Sequence, residues 1–330
     1  MGAEPRLTAR PARGSSRCPA TSPYTELVST LSVIIPATDR PATLERVVQA
    51  VERAASPPEE VIVVDEPADL FSGAARNVGA RRATGEILVF VDADVEVHED
   101  AFARIRAAFD QDPGLTAIFG AYDDNPASGS LLSDFRNLLH HHVHYEGAGV
   151  ASTFWTGLGA IRRESFLSLG GFDETVAWIR DIELGARIRQ TGGVIVLDPS
   201  IQGSHLKRWT LSSMVHTDIF RRGVPWLRLI LEGRANSAAL NLGWRHRIGT
   251  GASVVLAAAL VRRNRRVAAA ALAVLPLVDH DFYALLWRRG GWRMLAAGVP
   301  LHVLHRLTAV AAVPFAVTHH FLDARRRAHR

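Results

Sequence analysis

The sequence predicts an α/β domain with a mostly parallel central sheet and flanking helices, followed by a helical region that associates with a membrane. Short apolar runs alternate with helical patterns over the first two thirds of the chain, which is typical of βαβ units. Long aliphatic tracts fill the last hundred residues. The charge also divides: residues 1–202 carry 18 basic and 28 acidic side chains, whereas residues 203–330 carry 20 and 5.

Composition supports a folded chain with a flexible start. With 330 residues, 48% of them hydrophobic, the chain can bury a sizeable core. Its single cysteine, Cys18, excludes an intramolecular disulfide framework. Residues 1–28 are rich in Pro, Ser, Arg and Ala and lack the apolar run of a secretory signal, so we expect a flexible tail there.

The first elements form a strand, helix, strand, helix, strand series, which indicates a right-handed β-α-β-α-β unit. We predict its elements at 31–36, from Pro41 or Ala42 to about 55, at 60–65, from 73 to Gly85, and at 87–92. Later helices are predicted at 100–110, 133–145, 162–170 and 181–192, and later strands at 115–122 and 194–198.

Two aspartates follow a buried strand directly. The run Ile87–Val91 is continuously apolar, as in a strand covered on both faces, and Asp92 and Asp94 come straight after it. An isolated D-x-D more often opens a turn or caps a helix. At the carboxyl end of a parallel strand, however, two carboxylates are placed to hold a cation or a polar substrate.

The C-terminal region combines aliphatic tracts with arginines. Tracts 248–261 and 267–278 flank Arg262–Arg266, and a third runs from Met294 to Phe321. Because the first two are shorter than the ~20 residues of a full span, we expect a hairpin of short or tilted helices, or interfacial helices. A buried helical subdomain is the alternative. Because the tracts between the basic residues are long and aliphatic, instead of polar with stacking aromatics, they favour an anionic membrane surface over nucleic acid.

Five segments of the chain resemble the family 2 glycosyltransferases of the GT-A fold. They are LSVIIPATDR, EVIVVD, GAARNVGARRATGEILVFVDADVEV, GAIRRESFLSLGGFDE and RDIELGARIRQTGG, which occur in the family's order between residue 31 and about 205. The resemblance implies a GT-A domain over 29–230 and a membrane-associated region over 231–330. It also implies an enzyme at the cytoplasmic face of the cell membrane.

The activity implied by the resemblance is inverting sugar transfer. The donor would be a UDP-, GDP- or dTDP-sugar, and the acceptor a hydroxyl of a lipid-linked, glycan or other membrane-proximal molecule, such as a cell-envelope glycan. Asp94 is the implied ligand of Mn²⁺ or Mg²⁺, which suits hard oxygen donors. His205 is the second implied ligand, and Asp92 with Ala93 would contact the donor.

Other donor positions follow from the same resemblance. Asp65 matches the residue that reads the base, and Arg76 with Asn77 matches a pair near the donor phosphates. The family's Asp-Asp-Gly-Ser is here Asp65-Glu66-Pro67-Ala68, which leaves the base open. The residues implied to line the nucleoside pocket are Pro36, Ala37 and Asp39.

The acceptor side is implied by RDIELGARIRQTGG and two tryptophans. Asp181 would be the general base that takes the acceptor's proton, and Glu183 would hold the helix or the acceptor. Arg180 stands where the family has Glu, which leaves an altered acceptor or impaired activity open. Trp155 and Trp178 would flank the acceptor, since aromatic faces suit sugar stacking.

Four other interpretations have less support in the sequence. The histidines at 140, 141, 142 and 144 do not predict a zinc site, because consecutive helical residues diverge by about 100 degrees. A sugar nucleotidyltransferase would have a glycine-rich loop after the first strand, where this chain has Ala37–Pro41. A nicotinamide dehydrogenase would have a G-x-G-x-x-G motif after a strand, and none of the predicted strands is followed by one. Arg180 favours a catalytically impaired membrane protein, but the retained aspartates weigh against it.

Overall fold

A computed structural model describes residues 29–127, 129–234 and 243–328. The predicted tail, 1–28, lies outside these residues. The strands are β1 Leu31–Pro36, β2 Glu60–Val64, β3 Ile87–Val91, β4 Val95–Val97, β5 Leu115–Tyr122, β6 Gly149–Val150, β7 Leu158–Arg162 and β8 Val194–His205. The helices of the first part are α1 Leu44–Arg53, α2 Ser72–Arg82, α3 Ala101–Gln111, α4 Leu131–Glu146, α5 Arg163–Ser168 and α6 Arg180–Gln190.

The remaining helices form the C-terminal region. They are α7 Leu211–His216, a π-helical segment Thr217–Gly223, α8 Val224–Leu231, α9 Trp244–Val261, α10 Arg265–Val278 and α11 His280–Ala328. The hairpin expected around the arginine run is confirmed, since α9 and α10 pack together across a turn at Arg262–Asn264. Helix α11 is kinked at Gly291, whose φ of 60° and ψ of −157° are not helical.

One sheet organises the first part, in the order β2-β1-β3-β7-β5-β8-β4, with β6 paired to β8. The expected parallel arrangement of the first three strands is confirmed. The whole sheet is more evenly mixed than expected: β5 and β8 add a third parallel pairing, whereas β3–β7, β5–β7, β4–β8 and β6–β8 are antiparallel.

Strand β7 was not among the predicted strands. It runs antiparallel between β3 and β5, near the middle of the sheet. The chain at Gly157 and Gly159 passes so close to Trp155 that only glycine fits. A Cβ on Gly157 would lie 2.1 Å from the Trp155 ring, and one on Gly159 would lie 2.2 Å from the Trp155 carbonyl oxygen. These glycines break up the apolar pattern that marks a buried strand.

Hydrophobic clusters cover both faces of the sheet. Strand β3 is buried along its whole length, as its continuous apolar run predicts. On one face, the Phe90 ring packs between Phe166 and Phe172 at centroid distances of 5.4 and 5.3 Å. The rigid sheet fixes the strand end from which Asp92 and Asp94 emerge.

The C-terminal helices pack on α4 of the first part and on one another. The Phe135 ring of α4 lies 5.9 Å from the Phe282 ring of α11 within a third hydrophobic cluster. Within the described ranges, one helix is long and apolar enough to cross a membrane: it covers His280–Asp323, and 28% of its most apolar window is buried. The membrane association of this region remains a proposal.

One buried ion pair joins this region to the sheet domain, and two more lie within the region. Asp218 of the π-helical segment accepts hydrogen bonds from Arg136 of α4 and pairs with His305 of α11 at 2.8 Å. Asp279 pairs with Arg306 at 2.6 Å. Burial acts to raise the pKa of Asp218, but the His305 and Arg136 contacts outweigh it and lower the pKa to about 2. Since removing one partner of a buried pair costs about 3–5 kcal/mol, the Arg136–Asp218 pair fixes the docking of the two parts, and the other two pairs hold the C-terminal region together.

Candidate active site

A cavity of about 510 Å³ opens at the carboxyl end of β3. Its walls come from the sheet domain, through α2, α4 and α6, and from the C-terminal region, through the π-helical segment, α8, α9 and α11. Eight of the predicted site residues line it: Arg76, Asp92, Asp94, Trp155, Trp178, Arg180, Asp181 and His205.

Strand pairing brings Asp94 and His205 together across 111 positions of sequence. Strand β4 begins just after Asp94 and pairs Val95 with His205 on β8, and the Leu206 amide donates to the Asp94 carbonyl oxygen at 2.8 Å. The two side chains then face each other, with 3.6 Å between Asp94 Oδ2 and His205 Nε2.

The other nitrogen of His205 is held by Asn137. Asn137 Nδ2 donates to the His205 carbonyl oxygen at 3.3 Å, which turns its Oδ1 toward His205 Nδ1 at 2.8 Å. Nδ1 therefore keeps its proton when the imidazole is neutral, and Nε2 presents a lone pair toward Asp94. The ring is also fixed by stacking on Tyr122 at 4.3 Å.

This pair fits a divalent cation. A carboxylate oxygen and an imidazole lone pair repel each other unless a proton or a metal ion lies between them. Among the residues that the structure describes, no three His, Cys, Asp or Glu side chains converge as a metal site. Two protein ligands are enough for Mg²⁺ or Mn²⁺ when water and substrate phosphate oxygens complete the shell.

Asp92 and Asp94 differ in their surroundings. Burial raises the pKa of Asp92, and this outweighs the ion pair that Asp92 makes with Arg76. Burial also acts to raise the pKa of Asp94, but contact with His205 and the charge of Lys207, 4.0 Å away, outweigh it and lower the pKa. Asp94 is therefore the more acidic of the two carboxylates, and Asp92 is already paired with Arg76.

Asp181 lies at the start of α6. The preceding Ile179 has a left-handed backbone with φ of 55°, which turns the chain into the helix. Asp181 Oδ1 accepts a hydrogen bond from the Ile182 amide at 3.0 Å. Burial in the cavity raises the pKa of Asp181, which makes the carboxylate more basic than an exposed aspartate.

Two predicted residues point away from the cavity. Asn77 Oδ1 accepts from the Phe172 amide and its Nδ2 donates to the Phe172 carbonyl oxygen, both at 2.9 Å, so this side chain holds the 171–174 loop. Glu183 is buried against Arg187 and Arg234 at 2.8 and 3.0 Å. Both contacts support the fold around the cavity, and neither residue is among those that line it.

The predicted nucleoside residues lie beside the cavity, at the ends of β1 and β2. The Ala37 amide donates to the Val64 carbonyl oxygen at 2.8 Å, which brings the two strand ends together. Arg40 lies 3.9 Å from Asp65 and 3.0 Å from Glu66, a contact that the sequence did not predict. The remaining members of this group are Pro36 and Ala93, both at buried positions, and Asp39, which is exposed.

Several cavity residues were not predicted. The histidine run contributes His140 and His144, whose pKa values burial lowers, to about 4 for His144. His144 Nδ1 hydrogen-bonds the Gly120 carbonyl oxygen at 2.9 Å, so it serves the wall of the cavity. The C-terminal region supplies Arg221, Arg222, Trp226, His246 and His305.

Residues 66–170 match the family model described as glycosyl transferase family 2. An uncharacterized glycosyltransferase of Haemophilus influenzae is 24% identical over 192 residues, which cover 48% of this chain and 62% of that protein. The match thus spans less than two thirds of the relative's length.

The fold resembles that of a mannosyltransferase from Pyrobaculum calidifontis, solved in complex with GDP-Man and Mn²⁺. The TM-score is 0.52 and the sequence identity 16%, with 88% of this chain and 87% of that chain covered. At 16% sequence identity, this similarity shows that the two chains share a fold and nothing more.

Proposed function

We propose that this chain is a family 2 glycosyltransferase that transfers a sugar from a nucleoside diphosphate to a hydroxyl acceptor, since residues 66–170 match the family model and the fold resembles that of a GT-A glycosyltransferase. The observation that supports this best is the placement of Asp94 with His205 and of Asp181 in one cavity. Asp94 and His205 are suited to bind a diphosphate and its cation, and Asp181 is suited to accept the proton of an acceptor hydroxyl.

The donor diphosphate would lie against Asp94, His205 and Lys207. Mn²⁺ or Mg²⁺ bound by Asp94 and His205 would neutralise the charge that develops on the leaving diphosphate. The related mannosyltransferase was solved with a nucleotide-sugar and Mn²⁺, which supports this choice of ion. The nucleoside would extend toward Asp65 and the 36–39 loop, and its base, in a UDP-, GDP- or dTDP-sugar, remains open.

Asp181 would act as general base in a single displacement. The acceptor oxygen forms a bond to the anomeric carbon while the bond from that carbon to the diphosphate oxygen breaks. The electron pair leaves with the nucleoside diphosphate, and the acceptor's proton passes to Asp181. Because the acceptor attacks from the face opposite the leaving group, the anomeric configuration inverts.

The acceptor would enter on the side formed by Trp155, Trp178 and the C-terminal helices. The Arg221 guanidinium carbon lies 4.4 Å from the centre of the Trp178 ring, which keeps that ring at the cavity wall. A wall built from a candidate membrane region favours a lipid-linked acceptor, or a glycan held near the membrane.

We expect the C-terminal helices to hold the enzyme on the cytoplasmic face of the cell membrane. Exposed apolar side chains on α9, α10 and α11 support this, for example Val261, Leu277 and Phe321, since large exposed apolar surfaces mark interaction sites. Membranes from expressing cells should retain the chain after a carbonate wash. Release into the soluble fraction would contradict membrane integration.

Binding of a nucleoside diphosphate should depend on a divalent cation. With Mn²⁺ present, UDP, GDP or dTDP at about 100 times its Kd should stabilise the full-length chain by ~2.7 kcal/mol and raise Tm by several degrees. The same nucleotide with a chelator should give little shift. No shift with any of the three, with or without Mn²⁺, would overturn the proposed function, whereas a shift without sugar transfer to any acceptor would indicate a binding protein.

A further inference from the structure

Arg180 is a buried cation, and none of the acidic side chains that the structure describes pairs with it. Its side chain lines the cavity, yet the residue is only 7% exposed and its Nε is buried without a hydrogen-bond partner. In residues 29–127, 129–234 and 243–328, no ion pair or hydrogen bond of this guanidinium is found. Burying an unpaired charge is costly, so the position is suited to an anion that arrives from outside.

Three nearby acidic residues are already engaged, and the adjacent Asp181 accepts a hydrogen bond from the Ile182 amide but forms no ion pair with Arg180 among the described residues. Asp173 pairs with Arg234 at 3.6 Å, and Glu174 accepts a hydrogen bond from Asn77 at 2.9 Å. Asp92 pairs with Arg76. None of these carboxylates neutralises Arg180 by direct contact.

A helix N-terminus adds to the positive potential at the same point. The Arg180 side chain lies across the start of α2: a Cβ on Gly73 would be 2.3 Å from Arg180 Cδ, and the guanidinium carbon lies 5.6 Å from the centre of the Phe71 ring. No side chain caps this helix, and Ser72 lines the cavity. Free amides and the helix dipole favour an anion here.

The location of the Arg180 guanidinium relative to Asp94 and Asp181 indicates which part of the substrate it would contact. The diphosphate belongs at Asp94, and the attacking hydroxyl belongs at Asp181. The transferred sugar must therefore lie between them. Arg180 immediately precedes Asp181 in α6, and both side chains line the cavity.

We propose that Arg180 and the N-terminus of α2 bind a carboxylate on the donor sugar, so that the donor is a nucleotide-linked uronic acid. The inference rests on the proposed function. A hexose and its uronic acid differ at one carbon, which carries a hydroxymethyl group or a carboxylate. The planar guanidinium fork matches a carboxylate in two parallel hydrogen bonds, and a neutral sugar would leave it unpaired.

Isothermal titration of the full-length chain in detergent with Mn²⁺ tests this. The nucleoside diphosphate that binds selects the ligand pair: UDP-glucuronate and UDP-glucose, GDP-mannuronate and GDP-mannose, or dTDP-glucuronate and dTDP-glucose. We expect the uronate to bind at least about tenfold more tightly than the hexose, as a charged hydrogen-bonded contact predicts. Arg180→Gln should abolish that preference while leaving binding of the nucleoside diphosphate within about threefold.

Arg189→Gln is the matched control. Arg189 lies on the same helix, is exposed and donates to the Gly193 carbonyl oxygen, so its loss should leave the preference intact. If Arg180→Gln does not fold, Arg180→Lys keeps the charge without the fork and should retain only part of the preference.

Equal affinities for uronate and hexose in the wild-type chain would overturn this inference alone. If the two sugars bind equally, and a short prenyl phosphate instead binds in an Arg180-dependent way, the anion belongs to the acceptor and the donor assignment is overturned. If the preference is lost equally in the Arg189→Gln control, Arg180 is not its source. A chain that binds no nucleoside diphosphate would overturn the proposed function as well.

Discussion

Asp181→Asn is expected to lower kcat for sugar transfer by about 10²- to 10⁴-fold, the range of a lost general base. Donor binding should stay within a few-fold, because the diphosphate contacts lie at Asp94 and His205. Since the cavity makes the charged form of Asp181 costly, the neutral amide should leave Tm unchanged or raise it slightly. Single-turnover kinetics with a defined acceptor and a thermal melt measure both effects.

The dependence of the wild-type transfer rate on pH also tests whether Asp181 is the general base. A base must be deprotonated to act, so the rate falls as the pH drops through the pKa of Asp181. Because burial raises that pKa, the acidic limb should lie above pH ~3.9, where an exposed aspartate titrates. Asp181→Asn should abolish this limb, and Asp112→Asn, at an exposed aspartate, should preserve it. A full-rate Asp181→Asn enzyme would contradict the assignment.

Asp94→Asn should abolish metal-dependent binding of the nucleoside diphosphate and lower transfer by about 10³-fold or more. The change removes the charge of one of the two proposed ligands and leaves His205 alone, while the diphosphate loses most of its compensating positive charge. Titration of Mn²⁺ into the chain with nucleoside diphosphate present measures the loss.

Asp92→Asn provides the comparison for this prediction. Arg76 already pairs with Asp92, so the substitution should weaken Mn²⁺ binding less than Asp94→Asn does. Equal losses in the two variants would mean that both carboxylates hold the ion. A larger loss in Asp92→Asn would reverse the assignment.

The local pattern of the sequence was enough for the first half of the fold. Strands β1, β2 and β3 are short, apolar and separated by helical stretches, and each lies within one residue of its predicted bounds. Strand β4 was missed because it has three residues and exists only by pairing with β8. Long-range pairing of this kind leaves no periodic pattern in so short a segment.

The candidate site likewise contains residues that the sequence could place and residues that it could not. Asp94 and Asp181 could be placed from motifs, because the ends of strands and helices fix them. The directions of Asn77 and Glu183 depend on partners far along the chain, Phe172 and Arg234, and motif position does not specify those partners.

The C-terminal wall of the cavity could not be placed from sequence, since its position depends on how helices dock. One signal was available. Residues 203–330 contain only five acidic side chains, and two of them, Asp218 and Asp279, are buried against Arg136 and Arg306. A rare carboxylate in a basic region is a candidate for such a tertiary contact.

Because the cavity is lined by residues from both sides of the boundary expected near residue 230, the chain does not divide there into two independent functional parts. His246 and His305 lie beyond that boundary and still line the cavity, while every candidate carboxylate of the site lies before it. A chain shortened there would keep the proposed donor residues and lose part of the cavity wall proposed to meet the acceptor. Exchanging C-terminal regions between relatives would likewise exchange part of the cavity wall together with the proposed membrane-associated helices.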